Sequence, residues 1–135
     1  MEKEFVSYEI ALKLKELNFN EPCAACYGSY VHKTSELFLN INNPVNIETL
    51  VREKTGFNRP TFYVKAPTYS QAFRWFREKY NIHNTIHLLI INPKIYEGSV
   101  KNNLGRVVFM KEFTIYEEAE LECLKKLIEI VTNKN

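Results

Sequence analysis

The stretch APTYSQAFRWFREKYNIHNTIHLLIIN, residues 66–92, predicts a helix followed directly by an apolar strand. Thr68 and Gln71 have the Thr-x-x-Gln spacing of a capping box, in which two side chains satisfy backbone N–H groups of the first helical turn. We expect this helix to end near Tyr80, with Asn81 at its C-terminal stop, because Asn tolerates the left-handed backbone found there.

The strand TIHLLIIN, residues 85–92, is apolar on both of its sides. Ile86, Leu88 and Ile90 point one way, whereas Leu89 and Ile91 point the other way. A strand that is apolar on both sides needs cover on both faces. The pattern therefore predicts a central strand.

Two more helices and several half-covered strands complete the pattern. Ser7 is the expected cap of a helix that reaches about Leu17, and Thr114 with Glu117 forms a second capping box, for a helix from about residue 115 to 131. Alternation with period two predicts strands in ELFLNI (36–41), TFYVKA (61–66) and GRVVFMKEF (105–113).

This order predicts an α+β fold with a mainly antiparallel sheet and three main helices, in the order α-β-β-(short α)-β-α-β-β-α. We expect residues 1–135 to form a single domain. We expect residues 43–60 to form an excursion from the sheet, and their pattern predicts a short helix from about residue 47 to 54. Such an excursion is either a functional flap or an evolutionary addition.

The first two helices begin alike. SYEIALKLKE (7–16) and TYSQAFRWFRE (68–78) share the pattern Ser/Thr-Tyr-x-x-Ala-apolar-basic-apolar. The likeness favours two αββ units, although shared helix-start chemistry explains it equally well.

Composition places the chain among ordinary globular proteins. Of its 135 residues 45% are hydrophobic, and its formal net charge is +2, which supplies too few cations for strong binding to duplex nucleic acid. The N-terminal segment has no apolar run of the length of a signal peptide or a membrane span. We therefore expect a cytoplasmic protein, in which three cysteines form no disulfide framework.

Cysteine and histidine spacing resembles that of a zinc finger, with Cys23 and Cys26 followed by His83 and His87. An extended segment would hold the two histidines roughly 13 Å apart, too far for one zinc ion to bridge. We expect neither a metal site nor a cofactor, and we interpret the cysteines as small packed residues rather than as a redox pair.

Two arginines lie beside the core stripe of the 68–80 helix. On a helical wheel, Arg74 and Arg77 fall on one flank of the stripe and Trp75 falls on the other. Such cations beside aromatic rings are able to grip a phosphate or stack on a base, whereas a solvated or salt-bridged flank is the alternative.

Two other places carry candidate binding groups. The loop GSVKNNLGR, residues 98–106, offers Lys101 and Arg106 beside backbone donors, or it is a plain hairpin connection. Glu120 lies in the middle of the predicted buried face of the last helix, with Tyr116, Cys123, Leu124, Leu127 and Val131. A carboxylate there requires a cation, a rim position or a ligand pocket.

Self-association has support from a second apolar line on the first helix. Tyr8, Leu12 and Phe19 lie away from its main stripe. With the doubly apolar strand, they favour a homo-oligomer.

Three segments resemble a family of small, mostly uncharacterised proteins of gut-bacterial genomes and their phages and prophages. They are TYSQAFRWFREKYNI (68–82), SYEIALKLKELNFNEPC (7–23) and TIYEEAELECLKKLIEIV (114–131). The resemblance covers about half of the chain and implies a setting in mobile elements. It assigns no reaction and no functional residues.

Our leading hypothesis is a non-enzymatic, oligomeric protein that sequesters a small anionic, nucleotide-like ligand such as a host defence signal. The predicted ligand-binding residues are Arg74, Arg77, Arg106 and Lys101 for phosphates, Tyr69 and Trp75 for a base, and Glu120 for hydroxyls. The alternative is a protein-interaction module that inhibits or adapts a host protein through residues 43–60. An enzyme ranks third, because only His83 or His87 near Glu120 would supply acid-base chemistry.

Overall fold

A computed structural model describes residues 2–29, 36–39 and 62–133 of the chain. The chain forms two compact units, Met1–Thr68 and Tyr69–Asn135, and each contains a three-stranded antiparallel sheet. This confirms the α+β prediction. The predicted excursion at 43–60 and its short helix lie outside the described residues. Whether the whole chain unfolds as one domain stays a prediction.

The first unit begins with a short 3₁₀ turn and one helix. Its elements are the turn Glu2–Glu4, α1 Tyr8–Glu16, β1 Ala25–Ser29, β2 Glu36–Leu39 and β3 Phe62–Lys65, with strand order β2-β1-β3. Ser7 caps α1 as predicted, since its hydroxyl accepts a hydrogen bond from the Ile10 N–H at 3.3 Å. Two hydrogen bonds of Val6 hold the N-terminal segment against the sheet. The Val6 N–H donates to the Pro67 carbonyl at 3.0 Å, and the Tyr27 hydroxyl donates to the Val6 carbonyl at 2.7 Å.

The second unit is a helix, a three-stranded meander and a second helix. Its elements are α2 Tyr69–Tyr80, β4 His83–Ile90, β5 Ile95–Lys101, β6 Val107–Phe113 and α3 Tyr116–Asn133, with strand order β4-β5-β6. α2 stops before Asn81, whose φ of 54° is the left-handed conformation expected of the helix stop.

The prediction of a central strand at residues 85–92 is wrong. β4 forms an edge of its sheet, and β5 is the central strand. Leu88, Leu89 and Ile90 are between 41% and 47% exposed, and Ile91 is 76% exposed. Apolar alternation reports which surfaces a strand is able to bury, but it does not specify which strand lies beside it.

α3 packs closely on one face of the second sheet. A Cβ built on Gly98 of β5 would lie 3.0 Å from the Cys123 Sγ and 3.7 Å from the Ala119 Cβ, so the missing side chain permits the close approach. Cys123 and Ala119 are fully buried. Tyr116, predicted on the same buried face, is instead 42% exposed, because it lies at the first turn of the helix, at the rim of the contact.

The two units differ in topology. Each contains one of the two helices with similar starts, but the first strand after the helix is central in the first unit and lies at an edge in the second. The likeness of the two helix starts therefore does not extend to the order of the strands.

Candidate functional site

The two arginines predicted to bind phosphate lie on the solvent side of α2. Arg74 and Arg77 are exposed and almost one helical turn apart. Neither forms an ion pair with a residue that the structure describes. Of the two arrangements considered for this flank, solvated or salt-bridged, the described residues therefore form the solvated one.

Both aromatic side chains predicted to stack on a base are buried. Tyr69 is 8% exposed and Trp75 is 6% exposed. The Trp75 ring meets the rings of Phe76 and Tyr80 edge-on, at centroid distances of 5.0 Å and 5.5 Å, and the Lys79 ammonium lies 5.0 Å from its centroid. A base that stacked on Trp75 would have to displace these groups.

The hairpin between β5 and β6 brings Lys101 and Arg106 to the same end of the sheet, where both are exposed. Three backbone N–H groups of the turn donate to Asn102. The Asn102 Oδ1 accepts from the N–H groups of Leu104 and Arg106, both at 3.0 Å, and the Asn102 carbonyl accepts from the Gly105 N–H at 3.0 Å. The turn therefore satisfies the N–H groups of Leu104, Gly105 and Arg106 internally, and the side-chain cations of Lys101 and Arg106 are the exposed charges able to meet an anion.

Glu120 is half-buried on α3. Burial raises the pKa of the neighbouring Tyr116, and the negative charge of Glu120 is the second cause. No hydrogen bond or ion pair among the described residues joins Glu120 to Arg74, Arg77 or Arg106. The predicted binding groups thus remain on three elements: α2, the β5–β6 hairpin and α3.

A shallow depression of about 460 Å³ lies between β6 and α3. It is lined by Lys111, Glu112, Phe113, Thr114, Glu118, Leu121 and Glu122, none of which belongs to the predicted site. The carboxylates of Glu118 and Glu122 beside the single ammonium group of Lys111 disfavour a phosphate there. Among the described residues, no buried side-chain nitrogen or oxygen lacks a hydrogen-bond partner, so no such group marks a polar cavity awaiting a ligand.

The other face of the second sheet, which we call the open face, is largely exposed. Cross-strand partners share a face, so the register assigns nine residues to the side away from α3. They are His83, Thr85 and His87 on β4, Glu97, Ser99 and Lys101 on β5, and Val107, Met110 and Glu112 on β6. Seven of these nine are exposed, Glu97 is half-buried and Ser99 is buried.

Polar pairs across β4 and β5 fix the middle of the open face. The hydroxyls of Thr85 and Ser99 are hydrogen-bonded at 2.6 Å, and the His87 Nε2 lies 3.5 Å from the Glu97 Oε1. Lys101 lies at one end of the face, whereas Glu97 and Glu112 face each other across the strands near the other end. The face therefore presents both signs of charge on a framework held by these cross-strand pairs.

Exposed apolar side chains lie among these polar groups. Met110 is 57% exposed and Val107 is 49% exposed, and both belong to the open face. The open face has no Phe, Tyr or Trp ring, because Tyr96, Phe109 and Phe113 point to the other side of the sheet. Its aromatic rings are the imidazoles of His83 and His87, so it lacks the Phe and Tyr platform with which β-sheet modules bind single-stranded RNA.

Sequence reasoning missed the open face. GRVVFMKEF was correctly assigned as a strand, but its alternation does not tell which of its faces a helix covers. No local signal marks the face that α3 leaves open, because that choice depends on contacts between residues distant in sequence.

Cys26 and Cys123 are buried, whereas His87 is exposed. Burial raises the pKa of the Cys26 thiol to about 12 and that of the Cys123 thiol to about 11, so neither is a nucleophile near neutral pH. His87 lies on the open face, whereas α3, which carries Glu120, packs on the opposite face. No group of three His, Cys, Asp or Glu residues within the described ranges is placed to hold a metal ion.

Comparisons of the chain with protein-family models, with curated proteins and with solved structures find no match. The resemblance to proteins of gut bacteria and their phages therefore stays a prediction. No helix within the described residues is both long enough and apolar enough to cross a membrane.

Proposed function

We propose that this chain is a non-enzymatic interaction module that inhibits or adapts another protein by covering part of its surface with the open face. In the mobile-element setting that the resemblance implies, this partner is a host protein. The observation that carries the proposal is the exposure of Met110 and Val107, at 57% and 49%, within a framework fixed by the polar pairs Thr85–Ser99 and His87–Glu97.

The composition of the open face suits a protein partner. Exposed apolar side chains surrounded by polar and charged groups are typical of protein–protein interfaces, and Met is enriched at their centres. Charges of both signs favour a surface that itself carries both signs. A nucleotide on this face would meet Glu97 and Glu112 as well as Lys101, which weakens its attraction.

Site-specific photo-crosslinking tests the proposal. A benzophenone amino acid placed at position 110 of the full chain is expected to give a discrete protein adduct in cells, and Val107→Glu on the same chain is expected to abolish the adduct. The matched control carries the crosslinker at exposed Lys125 on α3, the side chain of which is 48% exposed. Equal adducts from positions 110 and 125, or none from either, would refute the proposal.

A second candidate function is sequestration of an anionic, nucleotide-like ligand. The observation that favours it is the pair of exposed guanidinium groups on α2 with no ion-pair partner in the described residues. ATP and cyclic dinucleotides should then raise the melting temperature of the full chain, and the double variant Arg74→Ala/Arg77→Ala should remove the increase. Lys125→Ala is the matched control. If no nucleotide raises the melting temperature, this second candidate is wrong and only the protein-binding proposal remains.

A further inference from the structure

β4 has a free edge. It pairs with β5 on one side, and no described residue pairs with its other side. The outward N–H and C=O groups of such a strand are available to another strand. The apolar segment Leu88–Ile91, which we call the β4 apolar segment, lies at the end of this edge and is exposed.

The two edges of the sheet are protected to different degrees. The β6 edge carries Lys111 and Glu112, and Arg106 precedes it. Residues 83–91, which contain β4, include no Lys, Arg, Asp, Glu, Pro or Gly. Charged side chains and proline are the usual means by which proteins prevent edge strands from pairing, and β4 uses neither.

A second copy of the chain is the occupant that fits this edge. A two-fold contact places a segment against itself, so any charge in the segment would meet the same charge. The β4 apolar segment has no charge to repel its copy, and its four exposed apolar side chains would cover the same four on the partner. The formal net charge of +2 is too small to oppose the association.

We propose that two copies of the chain associate through the β4 apolar segment, which packs antiparallel against the same segment of the second copy about a two-fold axis near Leu89. A bulge between Leu88 and Ile90 limits a regular ladder of hydrogen bonds at this place. The apolar side chains therefore supply most of the contact. The association joins the two sheets edge to edge and sets the two open faces side by side.

Charge-swap variants of the full chain test this proposal. Light scattering should give the mass of a dimer for the unaltered chain and half that mass for Leu89→Lys and for Leu89→Glu. Across a two-fold axis, Lys meets Lys or Glu meets Glu in each variant alone, but Lys meets Glu in a mixture. Mixing the two variants should therefore restore the dimer mass, which also shows that both variants are folded.

The control variant is Val108→Lys on the β6 edge, where the native side chain is 40% exposed. It should remain a dimer. Three results would overturn the proposal. The unaltered chain could be monomeric at every concentration, the mixture of charge-swap variants could stay monomeric, or Val108→Lys could dissociate the dimer when Leu89→Lys does not. None of these results affects an adduct between position 110 and a different protein, so the failure of the dimer is distinguishable from the failure of the proposed function.

Discussion

Gly98 shows how a single residue sets the distance between a helix and a sheet. Its missing side chain lets the Cys123 Sγ of α3 lie 3.0 Å from where a Cβ would be, with the Phe113 ring 3.3 Å from the same point. A contact of 3.0 Å is too short for carbon and sulfur, so any larger residue must push the helix or the ring away.

Gly98→Ala should lower the free energy of unfolding by about 1–3 kcal/mol, because overpacking outweighs the loss of glycine flexibility. Urea denaturation measures the change. Adding Cys123→Ala should recover part of the loss, since it removes the sulfur atom that the new methyl group meets. Gly105→Ala is the control. Gly105 has a φ of +79°, and a Cβ added there would meet no atom within 4 Å, so Cys123→Ala should not relieve the destabilisation that Gly105→Ala causes. Equal effects of Cys123→Ala in both backgrounds would contradict this account.

The buried thiols make stability depend on pH in the alkaline range. Burial raises the pKa of Cys26 and Cys123 from the ordinary value of 9.0 to about 12 and about 11. Their contribution to stability is complete below pH 9.0 and is lost as the pH rises through these folded-state values, because the unfolded chain releases the protons first.

Between pH 9 and 11 the free energy of unfolding should fall by about 1.4 kcal/mol per pH unit for each thiol. Cys26→Ala and Cys123→Ala should each reduce this slope in urea titrations at several pH values. The pKa of Tyr116 is also raised, so a residual slope above pH 10 is expected in the double variant. A slope that neither variant changes would show that the thiols ionise equally in the folded and unfolded states.

At the scale of elements, capping chemistry predicted the helices well. Ser7 at the start of α1 and Asn81 at the end of α2 act as expected, because a cap depends on residues within one turn. The order of the strands depends instead on contacts between distant residues. The apolar pattern of β4 therefore predicted its strand character correctly and its position incorrectly.

Ser7→Ala should lower the free energy of unfolding by about 1 kcal/mol, because the Ile10 N–H loses its acceptor. Ser7→Asp should retain most of the stability, since its carboxylate is also able to accept that hydrogen bond. Ser70→Ala, an exposed change inside α2, is the control and should stay within about 0.5 kcal/mol of the unaltered chain. Thermal or urea unfolding measures these changes. A free energy of unfolding that Ser7→Ala leaves unchanged would show that Ser7 is not the stabilising cap of α1.

At the scale of the whole molecule, the candidate site was predicted less well than the fold. Arg74, Arg77, Lys101 and Arg106 are exposed as a binding role requires, but Trp75 is buried, because the helical wheel cannot show what packs on the flank of a stripe. The open face arises from cross-strand register, and no local pattern records that register.

If two copies associate through β4, the melting temperature of the full chain should rise with protein concentration, because association stabilises the folded state by mass action. The melting temperature of Leu89→Lys should not depend on concentration. Differential scanning calorimetry at several concentrations measures both. Identical concentration dependence in the two proteins would place any association elsewhere than at β4.

Trp75 is the single tryptophan of the chain, and it is 6% exposed, with a lysine ammonium group 5.0 Å from its ring centroid. Its fluorescence is consequently a one-site optical signal from the interior of the second unit. Local unfolding of α2 would expose the indole to water and separate it from the nearby cation. The wavelength of maximum fluorescence emission would then shift. Folding kinetics of this unit are thus measurable in the native chain by stopped-flow spectroscopy without an attached dye.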